Sequence, residues 1–596
     1  MWHQKILLVM TCVNVFLEPT NSQKCQSSAR TCVKSKYRSH DGSCNNIENP
    51  SWGTPFSKYG RLLPPKYGDG ISSLTLSRTG KALPNPRSLS IAIYPDIPYT
   101  DRWFTLNAMQ FGQIVVHDMS LTVLSNVPAV CCSESGKMLD PGARPSHCLP
   151  IDLPVNDPVY SPANQTCMGF IRTTTDRDLN CVGGSQPAEQ LSQVTSFLDL
   201  SLVYGNNVEV NNQIRTFQNG LLRTETRGGQ QWPIRSTNIS FDCTLRNQND
   251  ACYFNTDDRI NQNPQLTLLQ VILYREHNRV AAQLKKLNAH WNDETIHQET
   301  RKIVISEYVY ICYYEWLPLM LGGEVLYKNK ILYNSPGQIH DYNGKINPAV
   351  LNEHAIAAFK HFHSLIAGRL DIVSESRTVQ QSIQLRDWYF DPQVLENGDN
   401  FNGLTRGLCT QHQMASDRYH DKGVTNYLFS TGGLGLDLKA TDIQRNRDHG
   451  LASYNELRKL CGLRRAKEFK DFLDVIPKEH VSLLEKHYEH PDDVDLIVGG
   501  SLERDIPGAL VGPTFHYIIL KQFYRTRVAD RFWFENDQFT REQLKEIRKA
   551  SISRLMCDNS NIKYMQRKGF VRISQGNPLE NCGELPSINL SLWKGV

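Results

Sequence analysis

The sequence predicts a mainly α-helical fold, one large domain with long, disulfide-stapled loops. Apolar residues recur at three- and four-residue spacing over 266–287, 299–321, 353–370 and 513–524, the signature of amphipathic helices. Alternating apolar and polar runs, which would mark strands, are scarce. The N-terminal part is instead rich in Cys, Pro and Gly, with turn-forming stretches such as RLLPPKYGDG (61–70) and LPNPR (83–87).

The chain reads as a secreted one. Lys5 precedes an apolar run over 6–17, and small or polar residues follow at 20–22, so 1–22 is expected to be a signal peptide and 23–596 the domain. An N-terminal helix buried in the fold would not account for the polar, Cys-bearing stretch that follows. No later segment offers about 18 unbroken apolar residues, so no membrane span is expected. Sixteen cysteines, fifteen once Cys12 leaves with the signal, suit an oxidising compartment. An odd number leaves at least one thiol free or bridged to another chain. Asn164, Asn238 and Asn589 each begin an N-x-Ser/Thr sequon and are candidate glycosylation sites. A formal charge of +4 with Lys and Arg spread along the chain gives no footprint for nucleic acid. At 40% hydrophobic and 21% charged residues, the composition is that of a globular protein and not a disordered one.

Two segments carry chemistry. In MQFGQIVVHDMSLT (109–122), a helix would put Gln113 and His117 on one face, while Asp118 must point elsewhere. Taken alone, an HD pair is more often structural than catalytic. TSFLDLS (195–201) changes that balance. Thr195, Asp199 and Ser201 supply side-chain oxygens at alternating positions and the Phe197 carbonyl fits between them, a donor set suited to a hard cation, with Asp118 able to close the site. A polar turn with a helix cap would also fit the loop by itself.

With these two segments in place, the chain resembles the animal haem peroxidase family. The matching motifs run in order from YRSHDGSCNN (37–46) through GQIVVHD, TSFLDLSLVYG, REHNR (275–279), AFKHFHSLI (358–366) and IQRNRDHG (443–450). They continue to GPTF (512–515), DRFWFEN (530–536) and CDNSNI (557–562). In layout the chain is most similar to secreted single-domain insect peroxidases of the chorion or salivary type. The resemblance implies the family fold, helices around a buried haem, and oxidation of small donors by hydrogen peroxide. It makes His117 the distal histidine that moves the peroxide proton. Arg259 becomes the distal arginine that stabilises developing negative charge, and Gln113 the distal glutamine. His363 is implied as the axial iron ligand, in preference to His361 and His354. Asp442 stands where many relatives have Asn beside the proximal imidazole, and a carboxylate there would lower the iron's reduction potential. Arg445 is implied near a haem propionate, and Asp118, Thr195, Phe197, Asp199 and Ser201 as a calcium site.

The chain also departs from its relatives. Many mammalian members esterify the haem through a carboxylate just before the distal histidine and another three residues after the distal arginine; here these positions are Val116 and Gln262. Asn263 stands where myeloperoxidase has its sulfonium-forming methionine. The expectation is haem b held without either ester, a less oxidising iron, and donors such as phenols, catechols, iodide or thiocyanate rather than chloride. By resemblance, Cys32 pairs with Cys44, Cys243 with Cys252 and Cys557 with Cys582. Cys131 and Cys132 share Cys148 and Cys167 in an order left open. Cys25, Cys181, Cys312, Cys409 and Cys461 are unplaced, with buried free thiols expected before an intermolecular bridge.

Two other functions fit the fold. A fatty-acid oxygenase of the prostaglandin-synthase kind needs a tyrosine three residues before the proximal histidine, where this chain has Lys360. A non-catalytic matrix or adhesion protein would explain the lost ester carboxylates, but not the survival of His117, Arg259, Gln113 and His363 together.

Overall fold

Six helices position the site: α1 (Pro86–Ile93), α2 (Leu106–Met119), α3 (Pro264–Leu287), α4 (Asp293–Tyr310), α5 (Leu438–Asp448) and α6 (Pro513–Val528). The structure, a computed structural model, describes residues 31–124, 130–254, 256–430 and 432–595. The predicted signal peptide, with Cys12, and Cys25 lie outside the described residues.

The central helix α3 starts where its sequence says it should. Asn263 Oδ1 accepts from the Leu266 N–H at 2.9 Å, and Pro264 sits at the first helical position, where a missing N–H costs nothing. Its residues 264–274 are all buried, so no polar face is needed there. α4 begins alike, with Asn292 as cap and Asp293 and Glu294 in the positive first turn. The predicted helical stretch 299–321 is continuous but not uniform: α4 runs into a π turn, Ile311–Trp316, before a last α segment, Leu317–Leu321.

One helical expectation needs correction. Residues 353–370 do not form a single α-helix: His354–Ala358 is a π turn, Phe359–Leu365 a 3₁₀ helix, and the chain is extended from Ile366. Arg369–Val373 then forms a strand antiparallel to Val379–Gln384. Gly368 lies in this extended stretch, where a Cβ would be 2.1 Å from the Asp421 carboxylate. The tight 3₁₀ winding has a consequence for the site, because side chains three apart eclipse one another. Lys360 and His363 are such a pair.

Strands are minor, as expected. Among the described residues there are five two-stranded antiparallel sheets. Four are local; the fifth joins Thr100–Thr105, just before α2, to His412–Met414. α5 is pinned from outside by Arg87 on α1, which bonds Asp157 at 2.8 Å and Asp437 at 2.6 Å, all three buried. Asp437 also caps α5 by accepting from the Lys439 and Ala440 N–H groups. Removing one partner of so buried a network costs about 3–5 kcal/mol, so the helix that carries Asp442 and Arg445 has a firmly set start.

Disulfides join Cys32 to Cys44, Cys243 to Cys252 and Cys557 to Cys582 as expected. The open order resolves as Cys131–Cys148 and Cys132–Cys167. Cys181 is also disulfide-bonded, which corrects the expectation of a free thiol there. Cys312 and Cys409 are free and buried, and Cys461 is free but only half-buried, beside the Thr514 carbonyl. Asn164, Asn238 and Asn589 are all exposed. Among the described residues no helix is long and apolar enough to cross a membrane.

Candidate active site

Between α2, the 3₁₀ segment and α5 lies a cavity of about 380 Å³, within the usual range of a small-molecule site. Gln113, Val116 and His117 line it from α2, Arg259 and Gln262 from the loop before α3, and Lys360, His363, Asp442 and Arg445 from the opposite side. The remaining wall is largely apolar, with Trp316, Phe359, Phe362, Leu438 and Phe429 among its members. Trp316 comes close because residue 112 is glycine: a Cβ there would lie 3.0 Å from the indole ring. The indole N–H donates to the Ala108 carbonyl at 2.7 Å, which fixes the ring against α2.

The helical spacing holds, and Gln113 and His117 both face the cavity. His117 is 8% exposed, its Nδ1 is buried, and among the described residues it has no hydrogen-bond partner. Burial, followed by the positive charge of Arg259, pushes its imidazole well below the ordinary 6.5. Both effects favour the neutral imidazole over the imidazolium. Arg259 is held on two sides. Its Nε and Nη2 grip Asp257 at 2.7 and 2.6 Å, while Nη2 and Nη1 donate to the His117 and Ser120 carbonyls at 2.7 and 2.9 Å. The guanidinium thus satisfies carbonyls at the C-terminus of α2 and fixes the end that carries His117. Gln113 sits in a chain of amides: Gln110 Nε2 and Asn263 Nδ2 donate to its Oε1, and its Nε2 donates to Gln262 Oε1 at 3.0 Å.

Across the cavity, His363 Nδ1 is 2.7 Å from Asp442 Oδ2, which leaves Nε2 as the ring nitrogen available to a metal. His354 and His361 are both buried, but neither lines the cavity, and His361 Nε2 is engaged by Ser416 at 2.9 Å. Asp442 is fully buried on α5. Burial opposes its ionisation, yet its contacts with His363 and Lys360 outweigh that and hold the carboxyl well below its ordinary 3.8. Lys360 Nζ lies 2.9 Å from Asp442 Oδ1, so the proximal carboxylate is shared between an imidazole and an ammonium. Arg445 anchors only its Nη1, to the Ile171 carbonyl, Thr173 Oγ1 and Asp448, all at 2.9 Å. Its guanidinium packs 4.1 Å over the Phe170 ring and lines the cavity.

Asp118 points the other way, as α2 requires. Its two oxygens accept from the Leu200 and Ser201 N–H groups at 3.0 and 2.8 Å, and Ser201 Oγ donates to it at 3.2 Å. Thr195 Oγ1 donates to Asp199 at 2.9 Å. Asp118, Thr195, Phe197, Asp199 and Ser201 are all at most 3% exposed. Burial, and for Asp118 the neighbouring Asp199 charge, pushes both carboxyls above their ordinary range. The donor set, two carboxylates with hydroxyl and carbonyl oxygens, is one that a hard divalent cation fits. It contains only two of the acidic or nitrogen- and sulfur-bearing ligand types, and no cluster of three such residues exists among the described residues.

Sequence reading overlooked three contributors: Asp257, Lys360 as the partner of Asp442, and the Gln110–Gln113–Gln262 amide chain. Asp257 stands two residues before Arg259, and Lys360 one 3₁₀ turn before His363, so spacing offered a signal for both. The amide chain joins residues 149 apart and left none.

A mostly apolar cavity has a histidine tethered to a carboxylate on one wall and a second histidine beside an arginine on the other, an arrangement that fits peroxide chemistry at a haem. The chain belongs to the animal haem peroxidase family, whose model matches residues 37–570. It is 48% identical to a Drosophila melanogaster peroxidase over 96% of this chain and 84% of that protein. It is 36% identical to the chorion peroxidase of the same organism, over 94% and 71%. Among solved structures, peroxidase A from Dictyostelium discoideum superposes with a TM-score of 0.75 at 26% identity, covering 91% of this chain and 100% of that one. The protein is a peroxidase, and its family implies haem as cofactor and peroxide with a reducing donor as substrates.

Proposed function

We propose that this chain is a secreted peroxidase in which His363 ligates the haem iron, His117 moves the peroxide proton and Arg259 stabilises the charge that follows. The observation that carries the reading is the unequal treatment of two histidines sharing one cavity. His363 is tethered through Nδ1 to Asp442, which fixes its ring for coordination, whereas among the described residues His117 Nδ1 has no partner and burial disfavours its imidazolium. Haem, when bound, would supply the two electrons that reduce peroxide as the O–O bond breaks. His117 takes the proton from the near oxygen of peroxide and returns it to the leaving one. Arg259, fixed by Asp257, holds positive charge where the departing oxygen becomes negative. Gln113, oriented by Gln110 and Asn263, presents an amide at the same end. Arg445 meets a propionate, and Lys360 moderates the pull of Asp442 on His363.

Haem b is held without the two ester bonds, because Val116 and Gln262 line the cavity where the carboxylates would be and neither side chain forms an ester. Calcium occupies the Asp118, Thr195, Phe197, Asp199 and Ser201 site and braces the end of α2 from behind. Secretion is supported by the 1–22 leader pattern, the disulfides and three exposed sequons. Residues 23–596 act as one peroxidase domain, and its donors are phenols, catechols, iodide or thiocyanate.

The test is an absorption spectrum of the haem-loaded protein before and after stoichiometric peroxide, repeated with His363→Ala. A Soret band that shifts with peroxide, returns on adding guaiacol or iodide, and is perturbed in the variant is the expected outcome. Haem that ignores peroxide would sink the catalytic reading in favour of a matrix protein. Acidic organic extraction should release the haem; retained haem would mean that some other residue bonds it.

A further inference from the structure

An unbroken file of aromatic rings leads from the cavity to the protein surface. It starts at Trp316, which lines the cavity and whose ring centre is 6.3 Å from that of Phe523. Phe523 is 5.6 Å from Tyr313, and Tyr313 is 4.6 Å from Trp533. Trp533 lies 5.6 Å from Phe534, which is 6.2 Å from Tyr310. Tyr310 stacks on Tyr314 at 4.9 Å with the rings 16° from parallel. The rings from Trp316 to Phe534 are all buried, whereas Tyr310 and Tyr314 are partly exposed.

Ring contacts of this kind are common in cores, and a tyrosine pair four apart on a helical segment is ordinary packing. Phenylalanine would serve that purpose as well. What packing does not require is the choice of the two readily oxidised side chains, Trp and Tyr, at both ends of the file and in its middle, or the arrangement of their protons. An oxidised phenol is a strong acid and keeps its radical only where a base takes the proton. Tyr313 donates its O–H to a backbone carbonyl, that of Phe523, at 2.7 Å, so it passes an electron vacancy on without storing it. Tyr314 donates to the Glu535 carboxylate at 2.9 Å, so the vacancy comes to rest at the surface pair.

We propose that Tyr310 and Tyr314 form a second oxidation site, joined to the cavity by Trp316, Tyr313 and Trp533, which oxidises phenol groups on molecules too large to enter the cavity. The proposal rests on the peroxidase reading above, which supplies the oxidant. Peroxide takes two electrons and two protons to give two waters. Each electron leaves the tyrosine pair along the ring file, and the Tyr314 proton passes to the buried Glu535 carboxylate. A substrate phenol then gives an electron to the tyrosyl radical and its own proton to solvent, Glu535 returns the first proton to restore the tyrosine, and a phenoxyl radical is left. The balance is one hydrogen peroxide and two phenols to two waters and two phenoxyl radicals. The fitting substrate class is tyrosyl or other phenolic side chains carried on macromolecules.

The experiment compares haem-loaded wild-type protein with Tyr310→Phe/Tyr314→Phe, which keeps both rings, and with Tyr313→Phe. Iodide serves as the small donor and tyramine-substituted dextran as the bulky phenol; a spin trap added with peroxide alone reports radicals by peptide mass. The expected result is dextran coupling reduced by about tenfold or more in both variants, with iodide oxidation within about twofold of wild type. Trap adducts on Tyr310 or Tyr314 are expected in wild type and not in the double variant. Unchanged dextran coupling in the double variant, or adducts confined to other residues, would overturn the proposal while leaving the peroxidase reading intact. A wild-type protein that oxidises neither donor would overturn both.

Discussion

Replacing Asp442 with Asn changes one charge at the most consequential hydrogen bond on the proximal side. In the native arrangement His363 Nδ1 donates to a carboxylate 2.7 Å away, and Lys360 shares that carboxylate at 2.9 Å. Hydrogen bonds to charged partners contribute about 1.5–3 kcal/mol and neutral ones about 0.5–1.5, so the exchange removes on the order of 1–2 kcal/mol of preference for the more positive iron. For a one-electron couple that corresponds to a midpoint about 40–90 mV higher. Lys360, left with its positive charge and no carboxylate, pushes in the same direction. Lys360→Met should do the reverse, since Asp442 would then act on His363 uncompensated, and the midpoint should fall. Spectroelectrochemical titration of the haem-loaded proteins measures both. A midpoint unmoved by Asp442→Asn, or a fall, would refute the claim that this carboxylate governs the iron through His363. Variants moving in the same direction would refute the compensating role of Lys360.

Two further outcomes follow from the electrostatics. Chelating calcium should lower both the melting temperature and the rate of reaction with peroxide, because Asp118 and Asp199 lose their shared counter-charge directly behind His117; a site at about 100-fold saturation is worth about 2.7 kcal/mol, and a melt unchanged by EDTA would count against the site. The pH profile of kcat/KM for peroxide should stay level as pH falls through 6.5, since burial and Arg259 both disfavour the imidazolium of His117 and move its protonation to lower pH. Arg259→Gln removes the second of those causes, so its acid limb should move upward, and Arg259→Lys should move it back; a limb that stays in place in the Gln variant would show that Arg259 does not act on His117 electrostatically.

Much of the distal side was legible because its residues are close in sequence. Gln113 and His117 are fixed by one helical period, Asp118 by being next to a residue that points away from it, and the loop 195–201 by alternating oxygens. The proximal side was harder. His363 was separable from His354 and His361 only by motif, because apolar spacing over 353–365 reads the same for α, π and 3₁₀ winding. It is the 3₁₀ turn that brings Lys360 into line with His363, and the two meet Asp442 from 82 and 79 residues away. Pairings of that range leave no trace in local periodicity. The order of Cys131 and Cys132 was likewise closed to sequence, since adjacent cysteines differ only in the direction that the folded backbone gives them.

The two sides of the cavity place opposite demands on the same residue type, and the structure meets them with opposite surroundings. An axial ligand must keep one nitrogen pointed at the metal, so its other nitrogen needs a strong, immobile acceptor; Asp442 is buried, ionised and fixed on a helix that Arg87 and Asp437 hold at its start. A proton carrier must gain and lose charge in each turnover, so a carboxylate at its back would trap the proton. Among the described residues His117 has none: its Nδ1 meets no acceptor, and Asp257, the carboxylate that acts on it by charge, is paired with Arg259. Exchanging these surroundings would leave both histidines in place and abolish both roles. The difference in tethering, more than the presence of two histidines, is therefore what supports the proposal of iron at His363 and peroxide at His117.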